Sequence, residues 1–302
     1  MKNLTIGFIG FGEVGYHLAL GFEEEGLRDK VAYCRGQRNK PPYSEQFRQR
    51  AKNVGVELAD TLKELIEKCD LLFSCVTGEV GLKVAKQVAP LLDSRKMYVD
   101  CNNSAPQDKE MAALAINARG GRFVDAALVG PPLVKKHKTP FLVSGDGAGE
   151  FQELMIPYGM DIEIIPGKAG TAAMLKTIWQ VYTKGLQGLL WETILAAEKA
   201  GVDLVAHPHP PVKFGSETIN VTLSDYLICH GGIHAARKAD ELKLAAGVLR
   251  NLGIEPMVAE AASKRLAKVA EFNLKKHFDG EIPSAGYRAM IEVIKRTGTD
   301  VT

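Results

Sequence analysis

The stretch that most limits how this chain can fold lies near its start. Residues 4–9, Leu-Thr-Ile-Gly-Phe-Ile, form a short and largely apolar run, the pattern of a strand buried in a parallel sheet. The run enters Gly10-Phe11-Gly12-Glu13-Val14-Gly15 directly, and apolar residues then recur at helical spacing through Leu18, Leu20 and Phe22. A strand that becomes a helix through Gly-x-Gly-x-x-Gly gives each glycine a task. The first allows the tight turn, the second lets a pyrophosphate approach the backbone, and the third lets helix pack closely on strand. The helix start then presents N–H groups and a positive dipole end to phosphate. Glycines also mark ordinary turns, so the flanking strand and helix are what make this a dinucleotide site lined by residues 10–15.

The rest of the first half repeats the alternation. Strand patterns cover 31–34, 71–76, 97–100, 123–128, 141–144 and 161–165, with helical patterns between them over 61–69, 80–92 and 107–119. This predicts an α/β fold, a Rossmann-type doubly wound sheet over residues 1–166. After Pro166-Gly167 strand signals largely stop. Residues 171–199 carry helical spacing without a break, which predicts a central scaffold helix, and helical patterns over 225–252, 255–278 and 284–295 complete an all-α domain over 167–302.

Composition excludes several classes. With 302 residues and a formal net charge of +2, nothing asks for nucleic acid or a membrane surface, and no apolar run is long enough to span a bilayer. The five cysteines lack Cys-x-x-Cys spacing and read as reduced thiols of a cytoplasmic protein. His230 and His234 are four apart, but two ligands beside Arg237 and Lys238 do not make a metal site. His207 and His209, in a proline-rich loop, read as surface histidines.

The second strand ends at the place where an acidic residue selects NAD by binding the ribose hydroxyl. Here the segment reads Cys34-Arg35-Gly-Gln-Arg38, with no acid before Glu45. Two guanidiniums suit a 2′-phosphate, so the expected cofactor is NADP. A solvated basic loop has the same composition.

Substrates of such sheets bind beyond the carboxyl ends of the strands. Val76-Thr77 lies on the nicotinamide side of the cofactor, and Asn102, Asn103 and Ser104 are small polar groups that either orient substrate or cap the next helix. Asn102 also borders the cofactor, and Gly130 offers its backbone. At the start of the long helix, Lys176 stands among Met174, Leu175 and Trp179, with Gln180 one turn on. An apolar setting lowers a lysine pKa toward the range useful in acid–base catalysis, although a snorkelling surface lysine gives the same pattern.

Gly7-Phe-Ile-Gly-Phe-Gly-Glu-Val-Gly15 follows Gly-x-Ile-Gly-x-Gly-x-Met-Gly with Val14 for the methionine. Cys34-Arg35-Gly36 resembles the Asn-Arg-Thr of NADP-using proteins. Asp100, Asn103 and Pro106 outline Asp-x-Ser-Thr-x-x-Pro, and Asp125-Ala126 with Gly130 outlines Asp-Ala-Pro-Val-Ser-Gly-Gly. Gly167, Gly170, Ala172, Lys176 and Gln180 follow Gly-x-x-Gly-x-Gly-x-x-x-Lys-x-x-x-Asn, with Ala172 and Gln180 as replacements. Through these motifs the chain resembles the β-hydroxyacid dehydrogenase family, which includes 3-hydroxyisobutyrate, tartronate semialdehyde and 6-phosphogluconate dehydrogenases. Asp240-Glu241-Leu242 stands where that family has Lys-Asp-Leu, and the segment from His230 to Lys238 is similar to a branch with its own helical C-terminal domain.

The resemblance implies hydride exchange between NADP(H) and a hydroxyl or carbonyl carbon of a small, carboxylate-bearing substrate, with Lys176 as general acid/base. Asn102, Asn103, Gly130 and Gln180 then orient the substrate, and His234 or Arg237 holds its acid group. A helix-surface His and Arg is the plain alternative for that pair. The apolar scaffold helix suggests a homodimer. An imine reductase and a non-catalytic NADPH-binding module are the other readings; Lys176 argues against the first, and the altered substrate motifs favour the second.

Overall fold

The structure, a computed structural model, describes residues 4–36, 39–93, 96–202, 213–214, 217–218 and 221–297; Arg38, His207 and His209 lie outside these residues. The chain divides into two compact units, Met1–Lys176 and Thr177–Thr302.

The first unit is built on eight strands: β1 (Ile6–Ile9), β2 (Lys30–Tyr33), β3 (Val56–Leu58), β4 (Leu71–Ser74), β5 (Met97–Asp100), β6 (Arg122–Leu128), β7 (Phe141–Ser144) and β8 (Ile162–Ile164). Their order is β3-β2-β1-β4-β5-β6-β7-β8. The six from β3 to β6 are parallel, in the strand order of a dinucleotide-binding fold. The helices of this unit are α1 (Glu13–Glu24), α2 (Glu45–Lys52), α3 (Leu62–Lys68), α4 (Gly78–Val88), α5 (Pro106–Asn117), α6 (Pro132–Lys135) and α7 (Ala148–Met155). β7 turns back antiparallel to β6, pairing Ser144 with Asp125; the link over 129–140 carries the one-turn α6 and a 3-10 turn at Lys136–Lys138 in place of a crossover helix.

Burial on both faces explains the apolar strands. Phe8 and Phe73 stack at 5.8 Å in the core on one side of the sheet, while Ile9, Leu72 and Tyr98 belong to the core on the other. β3 and α2 are among the elements that escape the sequence patterns. β3 has three residues with a glutamate at its centre, and in α2 only Phe47 and Ala51 are buried. Each offers too few apolar positions for a period to emerge.

Helix α8 (Thr171–Ala200) continues from the first unit into the second, where α9 (Val221–Ile233), α10 (Ala235–Asn251), α11 (Met257–Glu271), α12 (Leu274–His277) and α13 (Tyr287–Thr297) follow. A short antiparallel pair, β9 (Lys213–Phe214) and β10 (Glu217–Thr218), stands before α9. The sequence predicts one helix over 225–252; the structure breaks it at His234, whose backbone is not helical. Just ahead, Gly231 and Gly232 let α9 close on Trp191. A Cβ at Gly232 would lie 2.5 Å from that indole ring, whose N–H donates to the Ile228 carbonyl at 3.0 Å. Gln180, Lys184, Gln187 and Trp191 recur at three- and four-residue spacing and share one side of α8, while Ile178, Trp179, Tyr182 and Leu189 are exposed. None of the described helices is long and apolar enough to cross a membrane.

Candidate active site

In a sheet of this order the ligand crevice opens where the strand order reverses, here between β1 and β4. The three glycines differ there as their roles require. Gly10 has φ +89°, and a Cβ on it would lie 2.6 Å from the Cys75 carbonyl oxygen, so the exits of β1 and β4 touch backbone to backbone. A Cβ on Gly15 would lie 2.7 Å from the Gly10 carbonyl, which brings α1 down onto the turn. A Cβ on Gly12 would meet nothing within 4 Å. Gly12 is also the N-cap of α1 and supplies no side-chain cap, which leaves the first-turn N–H groups suited to a phosphate. This arrangement fits a dinucleotide.

Gly12→Ala is therefore expected to change unfolding free energy by no more than about 1 kcal/mol, the scale of an N-cap exchange. It should weaken dinucleotide binding by at least about tenfold, since the methyl projects where a charge-assisted phosphate contact forms. Fluorescence titration of the nicotinamide cofactor reads the affinity, and unchanged binding would reject this assignment of the loop.

Around the loop, Glu13 is exposed and Val14 half-buried. Phe11 turns its ring into the core toward Phe8 and Phe47, and its N–H donates to Cys34 Sγ at 2.9 Å. Burial pushes the Cys34 thiol up to about 11, so it acts as a neutral acceptor holding the end of β2 against the turn. Arg35 is exposed. Arg50, on α2, was not singled out in the sequence. Its guanidinium donates to the Gly12 carbonyl at 3.1 Å and lies 4.6 Å from the Tyr16 ring centroid, placing a cation at the phosphate end of the crevice. A polar helix without a clear period gave no signal for it.

The exits of β4 and β5 are tied together by Asn102. Its Oδ1 accepts from the Val76 N–H at 2.8 Å, and its Nδ2 donates to Ser74 Oγ at 2.9 Å. Ser104 does not cap α5, whose N-cap is Ala105; its hydroxyl donates to the Gly78 carbonyl at 3.1 Å. Thr77 and Asn103 are exposed beside them. Gly130, at φ +122°, is exposed beyond β6.

Beneath this edge lies a charge network absent from the sequence reading. Lys109 is buried with Asp100 and Asp125, its Nζ 2.7 Å from the Asp100 carbonyl, 2.9 Å from Asp100 Oδ1 and 3.5 Å from Asp125 Oδ1. Burial alone would push the Lys109 pKa down, but the two carboxylates outweigh it and hold the group above its ordinary value. Asp125 Oδ2 accepts from the N–H groups of Gly170 and Ala173, each at 3.0 Å, and from Ser144 Oγ at 3.2 Å. Ser144 Oγ in turn accepts from Ala172 N–H at 3.0 Å. The first turn of α8 is thereby fixed to β6 and β7. Gly170 permits this approach, since a Cβ there would lie 2.7 Å from the Pro106 carbonyl. Lys176 follows on the same helix, half-buried and engaged in a polar contact.

In the second unit Gln180 is 4% exposed, with its Oε1 unpaired among the described residues. The His234 ring packs edge-on to His230 at 4.9 Å, and Arg237, exposed, reaches Glu241 at 3.4 Å.

Residues 5–155 match the family described as the NAD binding domain of 6-phosphogluconate dehydrogenase. The chain belongs to this family. A protein of Methanothermus fervidus, described as an uncharacterized 28.5 kDa protein in the 7S RNA 5′ region, is 33% identical over 199 residues, 66% of this chain and 73% of that one. A conserved hypothetical protein from Sinorhizobium meliloti has a solved structure matching 98% of this chain and 97% of its own, with 31% identity and a TM-score of 0.73. A second solved structure, of a conserved protein described as similar to 3-hydroxyacid dehydrogenases, matches 90% of this chain and 99% of its own at 29% identity and a TM-score of 0.70. The family relationship is that of a nicotinamide dinucleotide-binding domain of the hydroxyacid dehydrogenase type.

Proposed function

We propose that this chain is an NADP(H)-dependent oxidoreductase that interconverts a hydroxyl and a carbonyl on a small carboxylate-bearing substrate, with Lys176 as general acid/base. The observation that carries the reading is the anchoring of α8. Three backbone N–H groups in and just before its first turn end on Asp125 and Ser144, so the helix bearing Lys176 starts from a fixed point at the sheet. Position of this kind is what a proton-transfer group needs. The nicotinamide, when bound, supplies or accepts the hydride. In the reducing direction the Lys176 ammonium gives its proton to the substrate oxygen; in the oxidising direction the neutral amine takes the hydroxyl proton. The second Nδ2 hydrogen of Asn102 is a donor suited to orienting that hydroxyl.

For the cofactor, Arg35 and Arg50 support the 2′-phosphate, with no acid competing at the end of β2. Assays of 3-hydroxy acids and 3-semialdehydes with both cofactors test the whole reading. NADP(H) should be preferred, and Arg35→Ala should lower that preference by about tenfold, the effect of one charge-assisted hydrogen bond. A wild-type preference for NAD would end the proposal.

A further inference from the structure

The second unit holds a group of buried charges that the reaction above leaves unused. Lys238, on α10, is 3% exposed. Its ammonium donates to Gln187 Oε1 on α8 at 2.7 Å and meets His230 Nδ1 on α9 at 3.1 Å. Both partners are neutral, and among the described residues Lys238 forms no ion pair. Glu241, one turn along α10, is already engaged, with Lys184 Nζ at 3.0 Å from one oxygen and Arg237 Nη1 at 3.4 Å from the other. The elements packed here thus bring Lys184, Lys238 and Arg237 against a single carboxylate, with His230 and His234 beside them.

A buried ammonium without a counter-ion is expensive to keep charged. Burial, reinforced by Lys184 and Arg237 and opposed by Glu241, pushes Lys238 down to about 7. Burial and then the surrounding cations hold His230 near 3, so its ring is neutral and accepts from Lys238 through Nδ1. An ammonium has three N–H donors, and two are used here. Side chains cover the cluster: His230 and His234 are half-buried, and the exposed Tyr226 stacks on His230 at 5.5 Å. A ligand that reaches Lys238 must displace these rings.

We propose that this cluster is an oxyanion site, with Lys238 as its central cation and the carboxylate or phosphate of a small acid as its ligand, and that binding brings in one proton. The proposal rests on the preceding reading only in expecting an acid-bearing substrate, and it makes Lys238, rather than the exposed Arg237, the main anchor. The ligand supplies the missing negative charge and favours the protonated amine. Affinity should be flat below about pH 7 and fall about tenfold per unit above it, the slope for uptake of one proton.

The test is calorimetric titration of the full chain without dinucleotide, at a pH about one to two units above 7 where the free amine is neutral, using inorganic phosphate and malonate in buffers of different ionisation heat. One of the two should bind at millimolar concentration or below with uptake of a proton, and which one does identifies the acid. Lys238→Met should abolish binding, Lys238→Arg should retain it without the alkaline fall, and Lys243→Gln, an exposed control on the same helix, should bind as wild type. Failure of wild type to bind either anion, binding without proton uptake, or binding that survives Lys238→Met would each overturn the proposal. Turnover does not enter this measurement, so its outcome is separate from that of the hydroxyacid reading.

Discussion

Lys176→Ala is expected to lower turnover by about 10²- to 10⁴-fold, the usual contribution of a positioned general acid/base, while leaving dinucleotide affinity unchanged. The first turn of its helix is held through backbone N–H groups by Asp125 and Ser144, and a truncation of the Lys176 side chain leaves those bonds in place. The expected loss corresponds to about 3–5 kcal/mol of transition-state stabilisation. The signature matters as much as its size. Removal of a group that acts only in proton transfer lowers kcat and kcat/KM together, whereas loss of a substrate contact raises KM. Rates in the single-turnover regime with NADPH, alongside fluorescence titration, separate the two. A Lys176→Ala protein that turns over as fast as wild type would remove the amine from the chemistry. A wild type that binds NADPH but turns over nothing would instead favour a dinucleotide-binding module.

Legibility in the sequence followed burial and period. The glycine loop was readable because three residues without side chains, set between an apolar run and an amphipathic helix, have few other physical solutions. Strands such as Phe8 and Phe73 occupy were readable because both sides are covered. The Lys109 network and the Lys238 cluster were not. A lysine looks the same in sequence whether it extends into water or lies buried with its charge matched, and only tertiary packing decides. Lys109 falls in a polar first turn, Pro106-Gln-Asp-Lys-Glu, which reads as a solvated helix start. Lys238 and Arg237 are adjacent, and the family resemblance points to Arg237 as the acid-binding group; the structure buries Lys238 and exposes Arg237. Asp125 and Ser144 lie on neighbouring strands 19 residues apart, so their shared hold on α8 depends on β7 turning antiparallel, which the pattern of alternating elements did not show.

That shared hold makes Lys109→Met the substitution with the largest expected effect on stability, about 3–5 kcal/mol, the scale for breaking a buried ion pair from one side. Methionine fills similar space, so little of the loss comes from a cavity. The loss comes from leaving Asp100 and Asp125, both almost fully inaccessible, without their cation. Because the folded protein holds the Lys109 pKa above its ordinary value, this stabilisation is fully present below the unfolded lysine value and is lost only as pH rises through the folded one. The wild-type advantage in urea unfolding should therefore persist across neutral pH and shrink only in strong alkali. Salt should barely change it, since buried charges are poorly screened. Adding Asp100→Asn to Lys109→Met should recover part of the loss, because an amide can still accept from the Asn102 N–H that Asp100 Oδ1 now receives at 2.9 Å. A Lys109→Met protein within about 0.5 kcal/mol of wild type would mean the carboxylates find protons or water in the folded state. The network would then be no anchor for the helix that carries Lys176.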